Sequence, residues 1–218
     1  MAAGRGQRLG AGRAKAFVDL AGKPMLFYGL RALDRAGLDV LVLVPPRQAR
    51  GTLVRWRRRL GCGRLLAVLP GGPRRQDSVA AGVAAAARLG ATHVLIHDAA
   101  RPFASPVLMR AVAQAALRQG AASAALPVTD TLVRSAAGRC GEPVAREGLW
   151  RIQTPQAFEL RPLQRALQAT GRKTFTDETT LMRRHGVRAE LVPGEAGNFK
   201  ITTAEDLRLA RRLLRGKG

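Results

Sequence analysis

Short apolar runs alternate with stretches of helical periodicity through the first 127 residues of the chain. VLVLV from Val40, LLAVL from Leu65, HVLIH from His93 and ASAALPV from Ala122 have the length and apolarity of buried strands. Between them, PMLFYGLRALDRAG places apolar residues at helical spacing, with Pro24 near the start and Gly37 as the stop. A basic helix is centred on Trp56, and further helices are predicted over 76–89 and 106–119. Strands and helices in alternation imply an α/β fold, a mostly parallel sheet wrapped by helices.

The rhythm breaks between Val128 and Gly148. TDTLVRSAAGRCGEPVAREG is polar, rich in turn residues and without a helical stripe, so it is expected to project from the sheet as an arm or hairpin that serves a site or a partner subunit. The chain returns with LWRIQTPQAF, helices near 161–170 and 177–185, the strand AELV and a last helix from Thr203. Thr202 and Glu205 have the spacing of a capping box for that helix.

At 218 residues and 46% hydrophobic content the chain can bury one sizeable core, and it is read as one domain over 1–218 with an arm at about 128–148. Aromatics are only 4%, which leaves the core to Leu, Val and Ala. No apolar run approaches the ~18 residues of a membrane span, and no leader with a cleavage site opens the chain, so the expected location is the cytoplasm. Cys62 and Cys140 lack metal-ligand spacing and are expected to be buried free thiols. The formal net charge of +22 favours anionic partners. Arginine far outnumbers lysine in a chain loaded with Ala and Gly, a compositional bias that accounts for much of the charge as solvated surface; RWRRRL at 55–60 is the exception to watch.

Four motifs carry candidate chemistry. MAAGRGQRLGAGRAKAF interleaves Gly4, Gly6 and Gly10 with Arg5, Arg8, Arg13 and Lys15, a loop whose backbone N–H groups and cations suit phosphate. It is neither a Walker loop nor a dinucleotide fingerprint, and no strand precedes it in the sequence. HDAARPF puts Asp98 at the carboxyl end of a buried strand, where open α/β sheets place ligands. There it can hold Mg²⁺ against phosphate, or cap the next helix with Arg101 as its partner. His93 and His97 share one side of that strand, but without a third ligand they read as ordinary histidines. GGPRRQDSV brings Asp77 and Ser78 to a helix start, either as turn and cap or as contacts to a nucleobase or ribose. GNFKITTAEDL sets Lys200 in a tight, Gly-preceded strand, aimed at an anion.

Taken together, AAGRGQRL, GGPRRQDSV, HDAARPF, PVTDT, GLWRIQTPQAF, TDE and NFKITTAEDL follow the order and spacing of the 2-C-methyl-D-erythritol 4-phosphate cytidylyltransferases, which the chain resembles from Ala2 to about Leu214. The resemblance implies a Rossmann-like nucleotidyltransferase three-layer sandwich with a protruding dimerisation arm. It also implies a homodimer that joins CTP and methylerythritol phosphate with the help of Mg²⁺, releasing pyrophosphate. By the same resemblance Arg8, Lys15 and Lys200 stabilise charge on the α-phosphate, and Asp98 holds the metal. Ala2, Ala3, Gly4, Gly6, Gly72, Asp77, Ser78 and Ala99 line the CTP site, while Arg101, Thr131, Arg146, Thr154 and Thr176 contact the sugar phosphate, Arg146 from the neighbouring subunit. Ala14 and Ala16 stand where the family usually has proline and glutamine, and Pro73 where it often has an acid, departures that imply weaker CTP binding. Family members also carry a strand of roughly ten residues ahead of the loop, and that strand is expected upstream of this sequence. Two rivals are a ribitol-5-phosphate cytidylyltransferase and a basic nucleic-acid-binding protein on a decayed nucleotidyltransferase fold; few aromatics and no recognised module make nucleic acid the unlikelier partner.

Overall fold

The computed structural model describes residues 1–2, 14–171 and 174–215; the loop residues Ala3, Gly4, Gly6 and Arg8 therefore lie outside the described part. A single 3-10 turn at Lys15–Phe17 leads into a short antiparallel hairpin, β1 (Asp19–Leu20) and β2 (Lys23–Pro24). There follow α1 (Leu26–Arg35), β3 (Val40–Val44), α2 (Leu53–Leu60), β4 (Leu65–Pro70), α3 (Arg75–Arg88), β5 (His93–Ile96), α4 (Pro106–Gln119) and β6 (Ala121–Pro127). The arm is a two-stranded hairpin, β7 (Leu132–Ala136) and β8 (Arg139–Val144). β9 (Trp150–Glu159), α5 (Leu160–Ala169), α6 (Glu178–Arg184), β10 (Glu190–Pro193) and α7 (Ala204–Arg215) complete the order.

The main sheet runs β10-β6-β9-β5, and β3-β4 forms a second, parallel pair. β10 lies parallel to β6, but β9 is antiparallel to both β6 and β5, so the sheet is more mixed than the strand–helix alternation predicts. The arm explains why. A chain that leaves β6 through a hairpin and returns beside it without a crossover helix has to run antiparallel.

Alternation along β6 and β9 supplies two apolar faces. Ala122, Ala124 and Ala157 face α4 through Leu108, Met109 and Val112, and alanine lets that helix approach closely. On the other face Ala121 and Phe158 meet Val79 and Val83 of α3, Leu163 of α5 and Leu181 of α6. The backbone of Met1 and Ala2 sits between the two sheets, with Ala2 N–H donating to Leu43 O (2.7 Å) and Ala99 N–H donating to Met1 O (3.0 Å). Alongside these residues a cavity of about 540 Å³, walled by Leu41, Leu43, Val83, Val94 and Ile96, separates β3 from β5.

Several local expectations are corrected. Cys62 is buried but Cys140 is exposed on the arm, because β8 has no layer over it. The box that starts α7 is shifted by one residue: Thr203 Oγ1 accepts from Asp206 N–H (3.1 Å) and the Asp206 carboxylate accepts from Thr203 N–H (2.8 Å). Lys200 lies in an irregular segment rather than a strand, tied to the turn after β5 by Ile201 N–H donating to Ala100 O (2.8 Å). In the basic helix α2, Arg57 Nε donates to Leu65 O (2.8 Å), Arg59 stacks over Phe17 and Trp56, and Trp56 is buried, so packing accounts for three positions of that motif.

Ser105 starts α4, its hydroxyl accepting from Leu108 N–H (3.0 Å) and donating to Glu195, whose other oxygen accepts from Ser105 N–H (3.0 Å). Ser105→Ala removes the cap and a bond to the segment before Lys200. It is expected to cost about 1–2 kcal/mol, read as a drop of roughly 2–8 °C in melting temperature; an unchanged melting curve would show that this junction contributes nothing.

Candidate active site

A cleft of about 450 Å³ opens at the carboxyl ends of β3, β4 and β5. Its walls include Ala2, Lys15, Gly72, Ser78, Ala99 and Lys200, with Asp98 among them. Six positions proposed from the sequence for nucleotide or catalysis thus meet the candidate metal ligand in one place, although Lys15 and Lys200 are 185 residues apart in the chain.

Each side chain is placed by its own element. Lys15 opens the 3-10 turn. Gly72 ends the turn after β4, where a Cβ would run into the Asp77 Cβ, so only glycine permits this approach of the loop to α3. Ser78 is buried, and its hydroxyl accepts from Gly72 N–H (3.0 Å), which ties that loop down. Asp77 serves the start of α3: its carboxylate accepts from Arg74 N–H (3.0 Å) and pairs with the Arg74 guanidinium (2.7 Å). The turn-and-cap reading of these two residues is therefore realised in this structure, and of the two only Ser78 lines the cleft.

Asp98 stands two residues beyond β5 and is 8% exposed. Lys200 Nζ lies 2.7 Å from one oxygen and Arg75 Nη2 3.4 Å from the other. Arg75 in turn reaches Glu178 at 2.5 Å through its Nη1. Burial pushes the Asp98 carboxyl up, but Arg75 and Lys200 outweigh it and hold it well below the usual carboxylate range. At neutral pH the cleft floor therefore presents an ionised carboxylate between two cations. Arg101 does not pair with the Asp98 side chain; its backbone N–H donates to Asp98 O (2.9 Å) and its Nη1 to Asn198 O (2.8 Å).

Behind Asp98 lies a polar chain. Thr154 Oγ1 accepts from Asp98 N–H (3.0 Å) and lies 3.2 Å from His97 Nδ1, while His97 Nε2 lies 2.9 Å from Arg101 O. One proton placement satisfies all three contacts: Nε2–H donates to Arg101 O and Nδ1 accepts from the threonine hydroxyl. Thr154 is buried and its hydroxyl is engaged inward, holding Asp98 in position. His93, by contrast, only meets Thr92 at the surface, and no cluster of three metal-ligating side chains occurs among the described residues.

Burial lowers His97 from an ordinary 6.5 to about 4, against the pull of Asp98 and Arg101 O. A depressed folded value means that the unfolded chain binds this proton first, so the stability contributed is complete above pH 6.5 and is lost as pH falls towards 4. The melting temperature is expected to fall across that window, and His97→Gln is expected to flatten the fall. An identical pH profile for the variant would assign the acid sensitivity elsewhere.

Two residues of this charged network are not singled out by the sequence: Arg75, inside GGPRRQDSV and on the cleft wall, and its buried partner Glu178, inside TDE. The positions read as sugar-phosphate contacts do not line the cleft. Thr176 is exposed just ahead of α6, and Thr131 and Arg146 lie on the exposed arm, where Arg146 Nη1 donates to Thr129 O (2.5 Å).

Residues 1–216 match the family described as 2-C-methyl-D-erythritol 4-phosphate cytidylyltransferase (IspD). The protein of that name from Deinococcus radiodurans is 42% identical, the match covering 97% of this chain and 86% of that one. The bifunctional enzyme IspD/IspF of Anaeromyxobacter dehalogenans is 46% identical over 98% of this chain but only 55% of its own length; the chain spans about half of the bifunctional relatives it matches. The crystal structure of 2-C-methyl-D-erythritol 4-phosphate cytidylyltransferase from Thermus thermophilus superposes with a TM-score of 0.80 at 38% identity, covering 93% of this chain and 94% of that one.

Proposed function

The chain belongs to the 2-C-methyl-D-erythritol 4-phosphate cytidylyltransferase family, and from that premise we propose that it transfers the cytidylyl group of CTP to 2-C-methyl-D-erythritol 4-phosphate. A phosphate oxygen of the sugar substrate bonds to the α-phosphorus of CTP, the bond from that phosphorus to the bridging oxygen of the β-phosphate breaks, and pyrophosphate carries away the electron pair. The substrate phosphate is itself the nucleophile, so no side chain need be acylated, phosphorylated or deprotonated. What the protein supplies is position and positive charge.

The observation that carries this reading is the convergence of Lys15, Lys200 and Asp98 with Gly72 and Ser78 in one cleft. Lys15 and Lys200 are fixed cations where charge gathers on the α-phosphate, and the Gly72 loop, held by Ser78, is the wall for cytosine. Asp98 fits a magnesium ion: Mg²⁺ takes one or two protein carboxylates and completes its shell with substrate phosphates and water. Bound there, the ion supplies charge neutralisation at the triphosphate. A pyrophosphate-release assay with CTP and each sugar phosphate tests the proposal; release with ribitol phosphate in place of methylerythritol phosphate would assign the chain to the rival substrate. Among the described residues no helix is long and apolar enough to cross a membrane, and a cytoplasmic enzyme is the reading we adopt.

The arm and Arg146 belong to the same proposal. A hairpin with exposed Val133, followed by exposed Leu149 and Trp150, leaves apolar surface uncovered, and a second copy of the chain is the partner that the family resemblance assigns to it. Arg146 then completes the neighbour's sugar-phosphate site as a planar, two-pronged donor. Arg146→Ala is expected to raise KM for methylerythritol phosphate about tenfold with little change for CTP. At methylerythritol phosphate concentrations well below KM, mixed dimers of Arg146→Ala with an inactive Lys15→Ala chain are expected to be more active than either variant alone, because one of their two sites is intact. Exchanged subunits that recover nothing would assign the arm to its own chain.

A further inference from the structure

We propose that Arg75 is a phosphate ligand held in reserve and that Glu178 is the positioning residue that keeps it at the cleft. The proposal rests on the cytidylyltransferase reading of the same cleft. Arg75 lines the cleft with Lys15 and Lys200, yet its two prongs are unequally held. Nη1 is 2.5 Å from Glu178, whereas Nη2 is 3.4 Å from Asp98, at the limit of a hydrogen bond. The Asp98 contact is the one that yields when an anion or a divalent cation enters.

Glu178 is what makes such a release possible without losing the arginine. It is 3% exposed, its Oε2 is buried with no hydrogen-bond partner, and Arg75 is its sole ion-pair partner among the described residues. Burying a carboxylate is costly unless it is paired with a charge. A glutamate in this place, whose second oxygen finds no donor, is poorly explained by the stability of α6 alone. It does, however, anchor one prong of Arg75 while the other turns from Asp98 towards the phosphates. The pair also links α3 to the segment that carries Thr176, two residues before Glu178, so the nucleotide wall and the candidate sugar-phosphate wall share one ion pair.

The test is a double-mutant cycle on the full chain, with CTP affinity measured by calorimetry without the second substrate and turnover measured separately. Arg75→Gln is expected to weaken CTP binding and to lower kcat about tenfold or more, with Arg75→Lys recovering part of the loss. Glu178→Gln is expected to reproduce most of that effect, and the double variant to be no worse than Arg75→Gln alone, since Glu178 acts through the arginine. Losses that multiply in the double variant would overturn the positioning role of Glu178. Wild-type CTP affinity and kcat in Arg75→Gln would overturn the proposal as a whole; the Arg75 side chain is 30% exposed, and its melting curve shows whether the fold is kept. Wild-type protein that binds CTP but releases no pyrophosphate would instead sink the reaction reading and leave the calorimetric cycle to decide on Arg75.

Discussion

Lys15→Ala and Lys200→Ala are each expected to lower turnover by about a hundredfold or more. Losing one preorganised donor at a developing charge costs ~2.7–4 kcal/mol in comparable sites. Cleft geometry makes the two lysines unequal. Lys200 is 2.7 Å from Asp98, so its removal also leaves a buried carboxylate with Arg75 alone. Lys15 opens a 3-10 turn at the cleft wall. Lys200→Ala should therefore lower both kcat and the melting temperature, and Lys15→Ala is read on kcat. The double variant should lose less than the product, because both cations address one charge. A purified Lys15→Ala protein with wild-type kcat would remove that lysine from the reaction.

Much of this arrangement was legible in the sequence for a simple reason: strands and helices here are written in local periodicity. VLVLV, LLAVL and HVLIH form β3, β4 and β5, and the break at Val128 marks the hairpin arm. Asp98 was legible because a carboxylate at the end of an apolar strand has few structural uses. What was not legible depends on contacts between distant segments. Arg75 and Glu178 are 103 residues apart, and nothing in GGPRRQDSV distinguishes Arg75 from its neighbour Arg74, which also lines the cleft but pairs with Asp77 rather than Asp98. The antiparallel course of β9 was hidden for the same reason, since strand direction is set by the connection and not by the residues in the strand.

Thr154 illustrates a different limit. Its place in GLWRIQTPQAF matches a substrate contact in the family resemblance, whereas its hydroxyl here bridges His97 and the backbone N–H of Asp98. A buried hydroxyl that is both acceptor and donor to protein groups has little left for a ligand. Its physical effect in this structure is to fix the carboxylate on which the cations converge. Sequence spacing could place Thr154 near the site, but only geometry distinguishes a group facing the substrate from one facing the scaffold.

Asp98→Asn is expected to abolish turnover at ordinary magnesium concentration, and a chelator is expected to do the same to the wild-type protein, with activity returning on addition of Mg²⁺. Asp98 is ionised well below neutral pH because two cations flank it, so it offers a full negative charge wherever the enzyme works. Asparagine keeps the size and one acceptor oxygen but removes that charge, leaving Lys200 without its counter-charge and Arg75 balanced by Glu178 alone, a more positive cleft that repels a divalent ion. The variant should therefore need much more metal for whatever activity remains. Manganese binding followed by paramagnetic resonance, with CTP present and the second substrate left out, should weaken in parallel. The variant's fold should hold, because Thr154 bonds to the Asp98 backbone N–H and not to its side chain. Full activity in chelator would remove the metal from the mechanism. An asparagine variant with wild-type metal dependence would return Asp98 to the role its present contacts already describe, a buried anion that holds Lys200 and Arg75 at the cleft.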